Sequence, residues 1–187
     1  MNLIAYKKGI LIMSLKLNSV TGQRPKVLIP DNTVAKILLR IKKGNHNDSS
    51  RGWEGGYATF NEESGSAYLH CIAFVLEGEY ARQTIHFFMS LDDPNNPESG
   101  ERGLNLMRTI VDSAHGFSLE DQSAESSDIR NSYDFSKLDG LQFTGVVNTA
   151  IDMKTGKDKN VLYYALTKDD ERYLGKTIPD NTSKSKK

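Results

Sequence analysis

The sequence predicts a mainly β fold in which a small antiparallel barrel forms one domain. Short runs of apolar and β-branched residues recur along the chain and are separated by turns rich in Gly, Asn and Asp. Apolar residues at helical spacing occur in one central stretch only. With 187 residues, the chain is long enough for a single domain with its own hydrophobic core.

The first predicted strand covers residues 33–41, which are rich in apolar and β-branched side chains and end at Lys42-Lys43-Gly44. Residues 1–26 form a polar, Pro- and Gly-punctuated N-terminal arm. Met13 could be the natural first residue, which would make 1–12 an unstructured extension. A long loop is predicted from about residue 43 to residue 66.

Two further strands form the clearest hairpin in the sequence. Residues 67–76 are apolar on both faces, a turn follows at 77–80, and residues 83–90 resume the strand pattern. Residues 91–100 are interrupted by Asp and Pro, so they end the hairpin. A helix of about fifteen residues then begins after Ser99 as N-cap and ends at Gly116.

The C-terminal part predicts an acidic connector and a second hairpin. Residues 117–137 are acidic and Ser-rich, with one short helical turn near 128–133. Strands four and five follow at 141–151 and 160–166, joined by a turn at 152–159. Residues 167–187 lose this periodicity and are expected to form a basic flexible tail.

The order of these elements is that of a five-stranded OB-like Greek-key barrel, with the helix between strands 3 and 4. We therefore assign residues 27–166 to one OB-like barrel domain. OB barrels bind oligonucleotides or oligosaccharides through strands two and three and through the loops that join strands one to two and four to five. These segments are where a binding site is expected.

The predicted loop at 43–66 carries aromatic and basic residues among glycines. Aromatic rings in an exposed loop can stack on nucleic-acid bases, and neighbouring cations can contact phosphates. The alternative is that the rings fold down as a lid or extend the strands. The candidate binding residues here are Lys43, Arg51, Trp53, Tyr57 and Phe60.

A second group of candidates lies on the two hairpins. Lys154, Lys157 and Lys159 at the tip of the second hairpin could contact phosphates, or could be the solvated residues of an ordinary turn. Strand alternation puts Tyr68 and His70 on one side of strand two, and His86 and Phe88 on one side of strand three. Both sides of these strands are apolar, so either side could face the core.

Charge and motif content argue against several function classes. The net charge is zero, but residues 1–91 carry +4, residues 92–139 carry −7 and residues 140–187 carry +3. The four histidines and the single cysteine show no metal-ligand spacing, and there is no P-loop, G-x-S-x-G or G-x-G-x-x-G motif. We expect no metal, no cofactor and no catalysis.

No segment is typical of a signal peptide or a membrane anchor, so we expect a reducing, cytoplasmic compartment and no membrane partner.

The stretch from Ser66 to Ile85, with its Val75-x-x-Gly78-x-Tyr80 turn, resembles bacteriophage and prophage single-stranded DNA-binding proteins with an OB fold. The Ile29-Pro-Asp-Asn-Thr33 opening and the Asp139-Gly-Leu-Gln-Phe143 entry to strand four are similar as well. The resemblance implies protection of single-stranded DNA during phage replication or recombination in a bacterial host, without a cofactor. Many such proteins end in an acidic peptide that recruits partners, whereas this chain ends in Ser183-Lys-Ser-Lys-Lys187.

Other functions remain open from the sequence. The acidic segment 92–139 could be the working surface of a protein-interaction or structural module that binds no nucleic acid. An oligosaccharide-binding barrel would keep the aromatic residues but have little use for the lysines of the second hairpin. The sequence leaves open whether RNA is bound, whether the protein forms a homo-oligomer, and whether it contacts replication or recombination proteins.

Overall fold

The computed structural model describes residues 27–178, and these form a mainly β domain with seven antiparallel strands and three α-helices. The strands are β1 (Thr33–Lys42), β2 (His46–Asp48), β3 (Trp53–Phe60), β4 (Ala67–Val75), β5 (Thr84–Asp92), β6 (Gln142–Ile151) and β7 (Asp158–Ala165). The helices are α1 (Pro97–His115), α2 (Ala124–Ser132) and α3 (Phe135–Leu138), all between β5 and β6.

The strands form a strongly curled half-barrel. Neighbouring strands follow the order β2-β3-β4-β1-β6-β7, and β5 pairs with the other edge of β4. Strand β1 joins two parts of the sheet, because its first half pairs with β6 from Thr33 to Leu38 and its second half pairs with β4 from Ile37 to Lys42. The C-terminal strand β7 pairs with β6 and approaches β5.

Strand β4 shows most clearly which side of the sheet faces the core. Its buried residues are Ala67, Leu69, Cys71, Ala73 and Val75. The alternate residues, which are half-buried, are Tyr68, His70, Ile72 and Phe74. On β5, Ile85, Met89 and Leu91 are buried, whereas His86 and Phe88 are exposed. The predicted ring positions therefore lie on the outside of the half-barrel.

Helix α1 covers the core beside β5. It begins at Pro97, whose fixed φ suits the first helical turn, and it ends at Gly116, which has a positive φ of 75°. Gly103 allows the close approach of helix and strand, because a Cβ atom there would lie 1.8 Å from the carbonyl oxygen of Ser90. Met107, Ile110, Val111 and Ala114 are buried against the sheet.

The sequence predicts five strands and a long loop at 43–66. The structure has seven strands among the described residues, because β2 and β3 form a hairpin within that predicted loop. A 3₁₀ turn at Ser49–Arg51 joins them, with the Asp48 carboxylate accepting from the Ser50 N–H at 3.1 Å. Gly52, Gly55 and Gly56 have positive φ values, so they bend the hairpin at positions that look like loop residues in the sequence. Helix α1 also begins before the predicted Ser99 cap.

The two predicted terminal segments are described only in part. The arm at 1–26 and the end of the tail at 179–187 lie outside the described residues. Residues 167–178 have no regular secondary structure but lie against α1 and β6. The Thr177 N–H donates to the Ala114 carbonyl at 3.0 Å, and the Leu174 N–H donates to Thr144 Oγ1 at 3.3 Å. Within residues 27–178, no helix is long and apolar enough to cross a membrane.

Candidate nucleic-acid interface

Four of the predicted rings meet on the outside of the half-barrel. We call Tyr68, His70, His86 and Phe88 the outer aromatic face. The Phe88 ring centroid lies 5.1 Å from that of Tyr68 and 5.0 Å from that of His70, and the two histidine centroids are 5.9 Å apart. Phe88 is 65% exposed although it stands on a regular strand. An exposed phenyl ring supported by other rings offers a rigid stacking surface.

Strand β1 adds two cations beside these rings. Lys42 pairs in register with His70 and Arg40 with Ile72, so both side chains lie on the outer side of the sheet. Both are exposed, and Arg40 Nε is 3.6 Å from Asp139 Oδ1. The sequence reasoning missed both residues. Their period-two spacing against the buried Leu39 and Ile41 is the signal that could have identified them.

The charge state of His70 depends on this environment. Burial lowers the pKa of His70 below its usual value, and electrostatic repulsion from Lys42 and from the neighbouring His86 lowers it further. The imidazole is therefore neutral at physiological pH. It can stack or accept a hydrogen bond, and it carries no positive charge until the pH falls.

The structure separates Arg51 and Trp53 from the outer aromatic face. Trp53 is half-buried and packs against the core, and the Arg51 guanidinium carbon lies 5.0 Å from its ring centroid. Arg51 also forms ion pairs with Asp92 and with Asp48, where Nε lies 3.4 Å from Oδ2. Two carboxylates already neutralise this guanidinium, so little of its charge is left for a phosphate.

The remaining rings of the predicted loop also lie elsewhere. The exposed position expected for Tyr57 is wrong, because the side chain is buried. The Lys43 ammonium lies 3.3 Å from the Tyr57 ring centroid and donates to the Gly55 carbonyl. Phe60 is 43% exposed and stacks on His46 at 5.0 Å. Because Phe60 pairs with Ala67, whose side chain is buried, it lies on the opposite side of the sheet from the outer aromatic face.

A cavity of about 560 Å³ lies between the start of β3 and the helices. Trp53, Leu104, Met107, Tyr133 and Phe135 line it, and Leu104 is 59% exposed. The cavity is also bordered by three arginines, each within 4 Å of an aspartate: Arg51, Arg108 and Arg130. The cavity therefore combines an apolar wall with charges that are already paired.

The three lysines of the second hairpin differ in their environment. The Asp152 carboxylate orders the turn by accepting from the backbone N–H groups of Lys154 at 3.0 Å and Thr155 at 3.1 Å. It also accepts from Lys159 Nζ at 2.9 Å, and this hydrogen bond is the main reason why the pKa of Asp152 falls to about 2. Lys154 and Lys157 have exposed side chains with no ion pair among residues 27–178.

No group of three His, Cys, Asp or Glu side chains is placed to hold a metal ion within the described part of the chain. Cys71 is buried, and burial raises the pKa of its thiol to about 12, so the nucleophilic thiolate is not formed near neutral pH. The chemistry that the exposed residues of the site offer is stacking and phosphate attraction.

Neither a protein-family model nor a curated protein sequence matches this chain.

Proposed function

We propose that the protein binds single-stranded nucleic acid, and DNA in particular, without strong sequence preference. The observation that carries this proposal is the exposure of Phe88 on the outer aromatic face, with His70 and Tyr68 against its ring and Lys42 one strand away. Every base has a π-face, so stacking on these rings tolerates any sequence. Arg40 and Lys42 supply the phosphate contacts next to the rings.

The strand connections support an OB-like barrel as the scaffold. Strand β1 pairs with both β4 and β6, and α1 lies between β5 and β6, which supports an assignment of β1, β4, β5, β6 and β7 as the five strands of an OB barrel. In this scheme β4 and β5 correspond to the second and third barrel strands, which carry the binding face of OB domains. We propose on the same basis that the protein is related to the phage and prophage single-strand binders that its sequence resembles.

The binding mode follows from the chemistry of the side chains. Bases stack on Phe88, His70 and Tyr68, and each stacked base contributes about 1–3 kcal/mol. The backbone runs beside β1, where Arg40 and Lys42 neutralise phosphates and release counterions. Lys154 and Lys157 on the β6–β7 turn form a second cationic region. Bases in a duplex are stacked on each other, so the rings can reach them only in a single strand.

Binding of this kind protects a strand and needs no catalysis. We propose that the protein is not an enzyme and that it acts on single-stranded DNA in the replication or recombination of a phage or prophage in the cytoplasm of its bacterial host. The proposal is also compatible with binding of RNA, with self-association and with contacts to replication or recombination proteins.

The test is fluorescence anisotropy with a labelled 30-nucleotide oligo(dT), titrated at low and at moderate salt, with a duplex of equal length as control. We expect saturable binding that exceeds duplex binding and weakens with salt. Charge reversal at Lys154 and Lys157 should weaken it, whereas an oligosaccharide-binding site would be indifferent to that change. No binding at low salt would contradict the proposal and favour a protein-interaction surface on the acidic 92–139 segment.

A further inference from the structure

Two histidines stand side by side on the outer aromatic face. His70 is on β4 and His86 on β5, with ring centroids 5.9 Å apart, and the His70 ring is also 5.0 Å from the ring of Phe88. His70 is half-buried and His86 is exposed, so both can exchange protons with solvent. A single-stranded nucleic acid whose base stacks on Phe88 would pass directly over this pair of histidines.

The groups around the pair are mainly cationic or neutral. From β1, Lys42 pairs with His70, and Arg40 lies in the same row as Ile72 and His86. On β4 and β5 themselves the outward neighbours are Tyr68, Phe88 and Thr84.

The other neighbouring elements contribute few free carboxylates. Thr59 of β3 pairs with Tyr68, and the β4–β5 turn carries Glu79 and Arg82. The carboxylates that form ion pairs with β1 are Asp139, 3.6 Å from Arg40 Nε, and Glu77, 3.9 Å from Lys36 Nζ.

Strand β7, which approaches β5, carries Asp158, Lys159 and two tyrosines, and Lys159 is paired with Asp152. The environment of His70 therefore opposes its protonation in the free protein. Burial, Lys42 and His86 act together in this direction on His70.

We propose that the outer aromatic face is a proton-linked binding site, in which acidification strengthens the binding of single-stranded nucleic acid by charging His70 and His86. This inference rests on the proposed function. A bound phosphate backbone supplies the negative charge that the face lacks, so the complex takes up protons that the free protein does not hold. By linkage, affinity rises as the pH falls through the histidine range.

The size of the effect follows from counterion release. Each cation that neutralises a phosphate of a single strand steepens the dependence of log K on log salt by about 0.7. Two protonated histidines therefore steepen the slope by up to about 1.4, and at 0.1 M salt this corresponds to roughly 5-fold tighter binding for one histidine and about 25-fold for both.

The experiment measures oligo(dT) affinity at pH 7.5 and pH 5.5 over a series of salt concentrations. Thymine does not titrate in this range, so the protein alone accounts for a pH effect. We expect a 5- to 25-fold gain in affinity and a steeper salt slope at pH 5.5. His86→Gln should lose part of the gain and His70→Gln/His86→Gln all of it. His46→Gln, a histidine on the opposite side of the sheet, should keep it.

Histidine NMR titration with and without oligo(dT) gives a second measurement that needs no variant. The pKa of His70, which the free protein holds below its usual value, should rise on binding. If affinity and salt slope are equal at both pH values, the inference is overturned and the proposed function stands. An unaltered pH effect in the double variant would have the same consequence. Absence of binding at both pH values would overturn both proposals.

Discussion

The Phe88 ring lies 5.0 Å from that of its cross-strand partner His70, and it is nevertheless 65% exposed. An apolar ring held in this way gains little from the fold and offers most of its surface to solvent. Scattered exposed apolar residues are ordinary, but here Tyr68 and His86 complete a continuous surface of rings.

Phe88→Ala should weaken single-strand binding strongly without unfolding the protein. Loss of one stacked base costs about 1–3 kcal/mol, which is roughly a 5- to 150-fold rise in Kd. Because the ring is mostly exposed, the free energy of unfolding should change by less than about 1 kcal/mol. Anisotropy with oligo(dT) and urea denaturation measure the two effects. Leu119→Ala, which removes another exposed apolar side chain, should leave Kd unchanged; equal losses in both variants would argue against a stacking site.

Lys154 and Lys157 should contribute to the salt dependence of binding, and Lys159 should not. Neutralising the first two as Lys154→Gln/Lys157→Gln should make the slope of log K against log salt shallower by about 1.4. The Lys159 ammonium is already 2.9 Å from the Asp152 carboxylate, so Lys159→Gln should leave the slope nearly unchanged. Titrations at four or more salt concentrations would show the difference. If the slope of log K against log salt is unchanged in all of these lysine variants, the β6–β7 turn lies outside the binding site.

Arg130 and Arg108 share the fully buried carboxylate of Asp112 but should differ in their contribution to stability. Arg130 donates from Nε at 2.7 Å and from Nη2 at 3.0 Å and is itself largely buried, whereas the exposed Arg108 is 3.6 Å away. Arg130→Ala should cost about 3–5 kcal/mol because it leaves Asp112 without its main partner. Arg108→Ala should cost about 1 kcal/mol or less. Urea unfolding of both variants compares them directly, and equal costs would refute this ranking.

Gly103→Ala should destabilise the protein although alanine favours helices. The substitution gains about 1 kcal/mol in helix propensity. The new Cβ atom would lie 1.8 Å from the Ser90 carbonyl oxygen, so α1 has to move away from β5, and overpacking of this kind costs about 1–3 kcal/mol or more. We expect a net loss in urea denaturation. Asn105→Ala on the exposed side of α1 is the matched control and should be neutral or slightly stabilising.

His115 should make the fold less stable in acid. Its Nε2 lies 2.8 Å from the Tyr133 hydroxyl, and burial lowers the pKa of His115 against the opposing effect of Asp112 and Glu125. The unfolded chain, with a histidine pKa of about 6.5, therefore binds this proton more readily than the folded protein. The free energy of unfolding must then fall as the pH drops below about 6.5.

Urea denaturation at pH 7.5 and pH 5.5 measures this loss. His115→Gln should reduce the difference between the two pH values, and His46→Gln should not. If His115→Gln shows the same pH dependence as the original chain, the proton is not linked to folding at this residue.

Much of the fold follows from local patterns in the sequence. The strand at 67–76, the hairpin turn with Gly78 and the helix ending at Gly116 are close to the observed β4, β4–β5 turn and α1. The hairpin of β2 and β3 could not be predicted in the same way. Its glycines and polar residues are typical of loops, and only pairing with β4 at Thr59 and Phe60 continues it into the sheet.

The candidate site depends more on tertiary structure. Aromatic residues in the predicted loop suggested a stacking surface, but Tyr57 is buried under Lys43 and Trp53 packs on the core. Arg40 and Lys42 are part of the first predicted strand, and they become neighbours of His70 only through the register of β1 with β4. Their alternation with Leu39 and Ile41 indicates that they share one side of the strand, but the long-range register that places them beside the rings has no local sequence signal.

The sequence by itself determined that Tyr68 and His70 share one side of a strand and His86 and Phe88 one side of the next, because side chains alternate with a period of two. Only the tertiary structure determined that these sides face outward. The curled sheet encloses a closely packed interior, to which β4 contributes Ala67, Leu69, Cys71, Ala73 and Val75. Because side chains alternate, the four rings lie on the outer side of the sheet, where a partner can reach them.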